Sequence, residues 1–236
     1  MEHLTNFTPY KWIADGRDPP PPLGVLNRRT DYHVSHVIPP VYEAYCKLLH
    51  PMHLDPAIED ETVLWIERPN EMADPVKLQG VRILWRNVAD KYGMDFDAAV
   101  NHSYLQIKFP RRNWPRYIIR PSHGIDDMET CARLVEVLAE WTEDQSCFFF
   151  YICCATVSSE ADLLFRGKLK EVTSFLDRDD VYAVPTYWWP GDRSWCVWAD
   201  PDICHSLIGG PEPLINSLLG DDVLECIRVQ ESTPAT

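Results

Sequence analysis

The stretch PTYWWPGDRSWCVWADPDICHSLIGG, residues 185–210, decides how this chain is read. Four of the nine tryptophans (Trp188, Trp189, Trp195 and Trp198) fall within it, around Pro190-Gly191-Asp192-Arg193. Proline presets φ and glycine accepts the positive φ that follows in a type II turn. The stretch therefore predicts a hairpin with strands near 181–189 and 194–199. Trp195 and Trp198 have opposite parity on the second strand, so one is expected to face the core and the other not. Tryptophan carries a large apolar body and one donor that needs a partner. The hairpin is then either a core keystone built on Trp195 or an exposed aromatic patch at Trp188 and Trp189, and the residues leave both open.

Apolar patterning places the neighbouring elements. Cys147 to Ile152 is a continuous apolar run, as in a strand buried on both faces. Before it, Cys131, Leu134, Val135, Leu138 and Trp141 stripe a helix over 127–142, with Asp126 as its cap, Glu129 three residues on, and a Glu129–Arg133 pair. Val81, Leu84, Trp85, Val88 and Tyr92 predict a helix over 81–92 closed by Gly93. Val41, Tyr45, Leu48 and Leu49 share a helical face, which predicts a helix over 39–50 between prolines. After the hairpin, Gly209-Gly210 reads as a tight turn, Pro211 to Leu219 as a short helix ended by Gly220, and Val223, Ile227 and Val229 as one face of a strand over 223–229. Helices first and strands later predict an α+β fold with antiparallel pairing. The expected organisation is an irregular arm over 1–30 with a polyproline spacer at Pro19–Pro22, one domain over 31–230, and a disordered tail over 231–236.

The chain holds 36 acidic and 22 basic residues, a net charge of −14. That balance repels nucleic acid and anionic membranes and favours encounter with basic partners. No apolar run reaches the roughly 18 residues of a membrane helix, and the start MEHLTNFTPYKW lacks an export signal. A cytoplasmic protein without membrane attachment is expected, with its eight cysteines reduced, buried and inert. Cys46, His50 and His53, and Cys204-His205 after Asp200 and Asp202, lack the spacing of a zinc site, so no metal and no cofactor are expected. No nucleophile elbow is present. Asp200 and Asp202 suit acid–base work, although Asp-Pro-Asp is also a common way to open a turn. The segment Lys108–Arg120 has five positive and no negative residues, interleaved with Phe109, Trp114 and Tyr117. Such alternation can bind nucleic acid, but pairing of its arginines with carboxylates elsewhere fits an acidic chain better.

Several phrases together resemble a group of uncharacterised bacterial proteins. They are Val41 to Pro51 with its Leu-His-Pro end, the helix ending in Tyr92-Gly93, the helix ending in Trp141-Thr142, and WWPGDRSWCVWADPD followed by SLIGG and PLINSLL. The resemblance covers most of residues 31–230 and implies a single cooperative unit; it carries no function. Ala199 and Pro201 depart from the group's pattern.

Charge and aromatic content together predict a non-enzymatic protein-binding module that masks a basic partner, as bacterial immunity proteins mask toxins. The expected contact residues are Trp188, Trp189, Asp192, Arg193, Asp179 and Asp180. The alternative is a hydrolase of a small or sugar-like substrate, with a pocket at Trp195, Asp200 and Asp202.

Overall fold

In the computed structural model the tryptophan-rich stretch supplies two strands to the middle of an eight-stranded antiparallel sheet. The structure describes residues 1–20, 32–67, 80–158 and 161–235. In chain order the strands are β1 (Glu2–Leu4), β2 (Ala44–Leu49), β3 (Met52–Leu54), β4 (Val81–Ile83), β5 (Ile118–Ile119), β6 (Cys147–Tyr151), β7 (Leu163–Gly167), β8 (Tyr187–Pro190), β9 (Cys196–Ala199), β10 (His205–Gly210) and β11 (Glu225–Val229). The helices are α1 (Lys11–Gly16), α2 (Trp85–Lys91), α3 (His102–Lys108), α4 (Met128–Ala139) and α5 (Glu212–Leu219), with several 3-10 turns, the longest Leu169–Asp177. The large sheet runs β1-β7-β6-β8-β9-β10-β2-β11, and a small one runs β4-β3-β5. The fold is α+β, as patterning predicts.

Both faces of the large sheet are covered, which is why its central strands are apolar at every position. One face carries Trp188, Trp195, Val197, Phe149 and Ile208 against Leu134 and Leu138 of α4, Leu214 and Leu218 of α5, and Phe175. The other carries Trp189, Trp198, Tyr187, Phe150 and Leu207 against Ile13 of α1, Val34, Val37 and Ile38. A third cluster packs α2, α3 and the small sheet around Trp85, Leu105 and Trp114.

Several expectations are corrected. The predicted helix over 39–50 is strand β2, paired with β10 on one side and β11 on the other. A strand buried on both faces lacks polar alternation, and Val41, its supposed helical partner, is exposed. The helix over 81–92 begins only at Trp85, because Val81–Ile83 pairs with β3; Gly93 does take positive φ at its end. Asp127, not Asp126, caps α4, accepting from Thr130 N at 2.8 Å. Arg133 binds Glu136 and Asp221 rather than Glu129, and Glu129 lies near Arg82. The first hairpin strand is shorter than 181–189, since Val184 N donates to Ile125 O instead of to a strand neighbour.

Gly209-Gly210 is no turn. It lies in β10, where a Cβ on Gly209 would sit 2.5 Å from the Tyr42 ring. The hairpin turn also differs: Arg193 N donates to Pro190 O, and the positive φ falls on Arg193 (62°) and not on Gly191. Gly191 matters for close approach instead, since its Cβ would lie 3.3 Å from Gln145 Oε1.

The ends are more ordered than a bare arm and tail. β1 pairs with β7, and Tyr10 stacks on Phe150 at 3.8 Å. Residues 231–235 pack against 32–35, with Val34 N donating to Thr233 O and Ala235 N to Tyr32 O. Of the predicted polyproline spacer, Pro21 and Pro22 lie outside the described residues, as does Thr236.

Candidate recognition site

The strands of the hairpin have two ends, and the sequence-predicted residues divide between them. At the turn end, Trp188 and Trp189 are buried, at 0% and 1% exposure, and so is Trp195. None of the three offers surface to a partner. Trp189 stacks on Phe148 and meets Trp12 edge-on, while the Arg193 guanidinium lies 5.3 Å over the Trp12 ring. Asp192 accepts from Ser194 N at 2.9 Å, and hydrogen bonds hold its carboxyl below the usual range against the opposing effect of burial. Both charged residues of the turn are thus engaged within the fold. Trp195 and Trp198 do face opposite sides, but each meets a core.

The other end brings together groups that the sequence kept apart. Val157 N donates to Asp180 O, Tyr182 N donates to Ala155 O, and Thr156 bridges to Val181. These bonds hold the 153–158 and 178–183 segments side by side. The 122–125 loop packs next to them, with Gly124 N donating to Ile203 O and Val184 N to Ile125 O. A Cβ on Gly124, whose φ is 73°, would lie 3.0 Å from that of Ala183. Asp200 and Asp202 close the array; Asp202 N donates to Asp200 Oδ1 at 2.8 Å, the local bond of an Asx turn. Burial raises the Asp200 carboxyl, against the opposing effect of the Asp202 N–H bond. Burial, followed by Asp200, likewise raises the Cys154 thiol. Asp179 and Asp202 are exposed, and Asp180 is paired with Arg178 at 2.6 Å. Among these acids stand two large exposed apolar side chains, Tyr182 (60%) and Val157 (50%). Cys153 and Cys154 are also exposed here, which corrects the expectation that every thiol is buried.

A cleft of about 320 Å³ adjoins this face. Ser103 and Gln106 line it from α3, His102 from the same helix, and His123 and Asp202 from the facing loops. His102 is stacked on Trp114 at 4.8 Å. Cys204 contributes little chemistry: its buried thiol donates to Pro121 O, and burial pushes it up to about 12.

Other polar groups in the interior are structural. His50 Nδ1 lies 3.0 Å from Ser122 O, and since a carbonyl only accepts, that nitrogen carries the proton. His50 Nε2 then accepts from Ser206 Oγ at 2.9 Å. This has the form of a nucleophile and its base, but both residues are wholly buried. Lys47 is buried as well and donates to Ala98 O and Val100 O. Within 108–120, Arg116 is buried against Asp55 at 2.6 Å, and Arg116 and Arg120 lie over the Trp65 ring. Trp114 and Tyr117 are core residues, so the stacking platform a nucleic acid would need is taken up by the fold. Among the described residues no three potential ligands cluster to hold a metal, and no helix is long and apolar enough to cross a membrane.

Sequence reasoning missed Tyr182, Val157 and His123. The signal lay in Val181-Tyr182-Ala183, where one large side chain sits between two small apolar ones, as on a strand with a single buried face. No family model matches the chain, and neither a curated protein nor a solved structure is similar to it.

Proposed function

We propose that this protein is a non-enzymatic binding module that masks a basic protein, in the manner of a toxin-neutralising immunity protein. The supporting observation is the exposed pair Tyr182 and Val157 set among Asp179, Asp200 and Asp202. An exposed aromatic among charges that are mostly acidic, Arg178 being paired with Asp180, is the usual anatomy of an electrostatically steered interface. The overall charge of −14 supports the same direction of attraction. Eight unpaired thiols are compatible with a reducing, cytoplasmic setting.

The test is capture of basic proteins from the native host by three purified variants. Asp179→Lys and Tyr182→Ala are expected to lose the captured protein, while Asp95→Lys, an exposed acid on a different loop, keeps it. Association should also slow above physiological ionic strength, where the Debye length is about 8 Å. Equal capture by all three would replace a local face with bulk charge and sink the reading.

The hydrolase reading rests on the cleft that holds Asp202 and His123. Of the possible nucleophiles on its wall, the Cys204 thiol is buried and held protonated at neutral pH, which leaves the Ser103 hydroxyl. Turnover of a glycoside or ester library by the wild type, abolished in Asp202→Asn, would establish it instead.

A further inference from the structure

We infer that the cleft between α3 and the 202–205 segment receives an arginine side chain of the basic partner, an inference that rests on the recognition face proposed above. The cleft opens beside that face, because Asp202 belongs to both. Its volume of about 320 Å³ lies at the small end of the roughly 300–1,000 Å³ of small-molecule sites. That suits one side chain and not an extended ligand.

The wall chemistry selects the charge. Among the described residues, Asp202 is the only carboxylate on the wall, and no lysine or arginine lines it. An anion would find no fixed positive charge there, whereas a cation finds Asp202, with Asp200 behind it. Arg120, whose charge reaches the Cys204 thiol, lies over the Trp65 ring at 5.1 Å.

The wall geometry selects guanidinium over ammonium. The His102 ring is backed by Trp114, nearly parallel to it at 24°, which makes a flat two-ring stack at the side of the cleft. A planar guanidinium stacks on such a ring while forking onto a carboxylate; an ammonium does neither. The Gln106 carboxamide, also on the wall, offers a further acceptor for the remaining N–H groups.

The probe is Nα-acetyl-arginine amide, titrated into the full chain and followed by amide chemical shifts. Saturable shifts are expected at residues 101–106, 123 and 202–205. Asp202→Asn should weaken binding about tenfold, as loss of a charged hydrogen-bond partner does, and the lysine analogue should bind more weakly than the arginine one. Asp202 is exposed, so the variant is expected to fold, and its unchanged spectrum elsewhere checks this. An absence of saturable shifts, equal binding of the lysine analogue, or unchanged affinity in Asp202→Asn would each overturn the inference. Tyr182→Ala separates it from the broader reading: this variant should still bind the arginine amide while losing the captured protein. Arginine binding without any captured basic protein would remove the masking function alone, and capture without arginine binding would remove the pocket alone.

Discussion

Trp195 Nε1 donates to Thr142 Oγ1 at 3.2 Å, and Thr142 in turn donates to Leu138 O at 2.7 Å. The hairpin is thereby tied to the last turn of α4 through the one polar atom of a wholly buried indole. Trp195→Ala is expected to cost about 3–5 kcal/mol by lost burial and cavity formation. Thr142→Val keeps the volume but strands the indole donor, at about 1–3 kcal/mol. Urea melts of both variants check the pair; a Thr142→Val protein as stable as the wild type would show that the tie contributes nothing.

Arg116 and Asp55 form an ion pair at 2.6 Å with both side chains buried. Removing one partner leaves an uncompensated charge in the interior, so Arg116→Met should destabilise by about 3–5 kcal/mol. Arg116→Met with Asp55→Leu should recover a large part of that loss. Denaturation midpoints of the two singles and the double decide it; additive losses would mean the charges do not depend on each other.

A close approach accounts for Gly209, since its Cβ would meet the Tyr42 ring at 2.5 Å and the Tyr45 ring at 2.9 Å. Gly209→Ala should destabilise by about 1–3 kcal/mol through overpacking. Tyr42→Ser in the same chain should relieve part of it, read as a non-additive cycle in thermal melts.

Burial lowers the His50 pKa from 6.5 to about 4 and drives that of His205 down as well. The unfolded chain therefore binds protons that the folded one refuses. Stability is full above the unfolded value and falls as pH drops from 6.5 toward 4. For His50 the loss amounts to about 3 kcal/mol by pH 4. His50→Gln should flatten this dependence when denaturant melts at pH 4.5 and 7 are compared; an unaltered slope would assign the acid loss to His205 or to carboxylates.

Cys153 and Cys154 are exposed and the other six thiols are buried. A maleimide should add twice to the native protein and eight times after unfolding, as counted by intact mass. More than two rapid additions in the native state would mean that the core opens on that timescale.

The sequence was most legible where one physical signal acted alone. Phe148 and Phe150 against Phe149 and Tyr151 announce a strand buried on both faces, and α4 and α5 follow their apolar stripes. It was least legible at Ala44–Leu49. There, a strand enclosed by two neighbours and two layers has no polar face, and Lys47 is held inside by two carbonyls that no local pattern foretells. The candidate site fared similarly. Asp179, Asp180, Asp200 and Asp202 stand out as acids, but Tyr182, Val157 and His123 reach them only through backbone bonds between segments far apart in the chain. The tryptophans misdirect for the opposite reason: an indole cluster has the same composition inside a core as on a surface.

Strand β2 ends at Leu49, and both of its partners, β10 and β11, begin only at His205 and Glu225. On the ribosome, at about 5–20 residues per second, this apolar strand therefore waits on the order of ten seconds before its neighbours exist. During that interval Cys46, Leu48 and Leu49 are a sticky segment without shelter, and the nascent chain is a natural client for a holding chaperone.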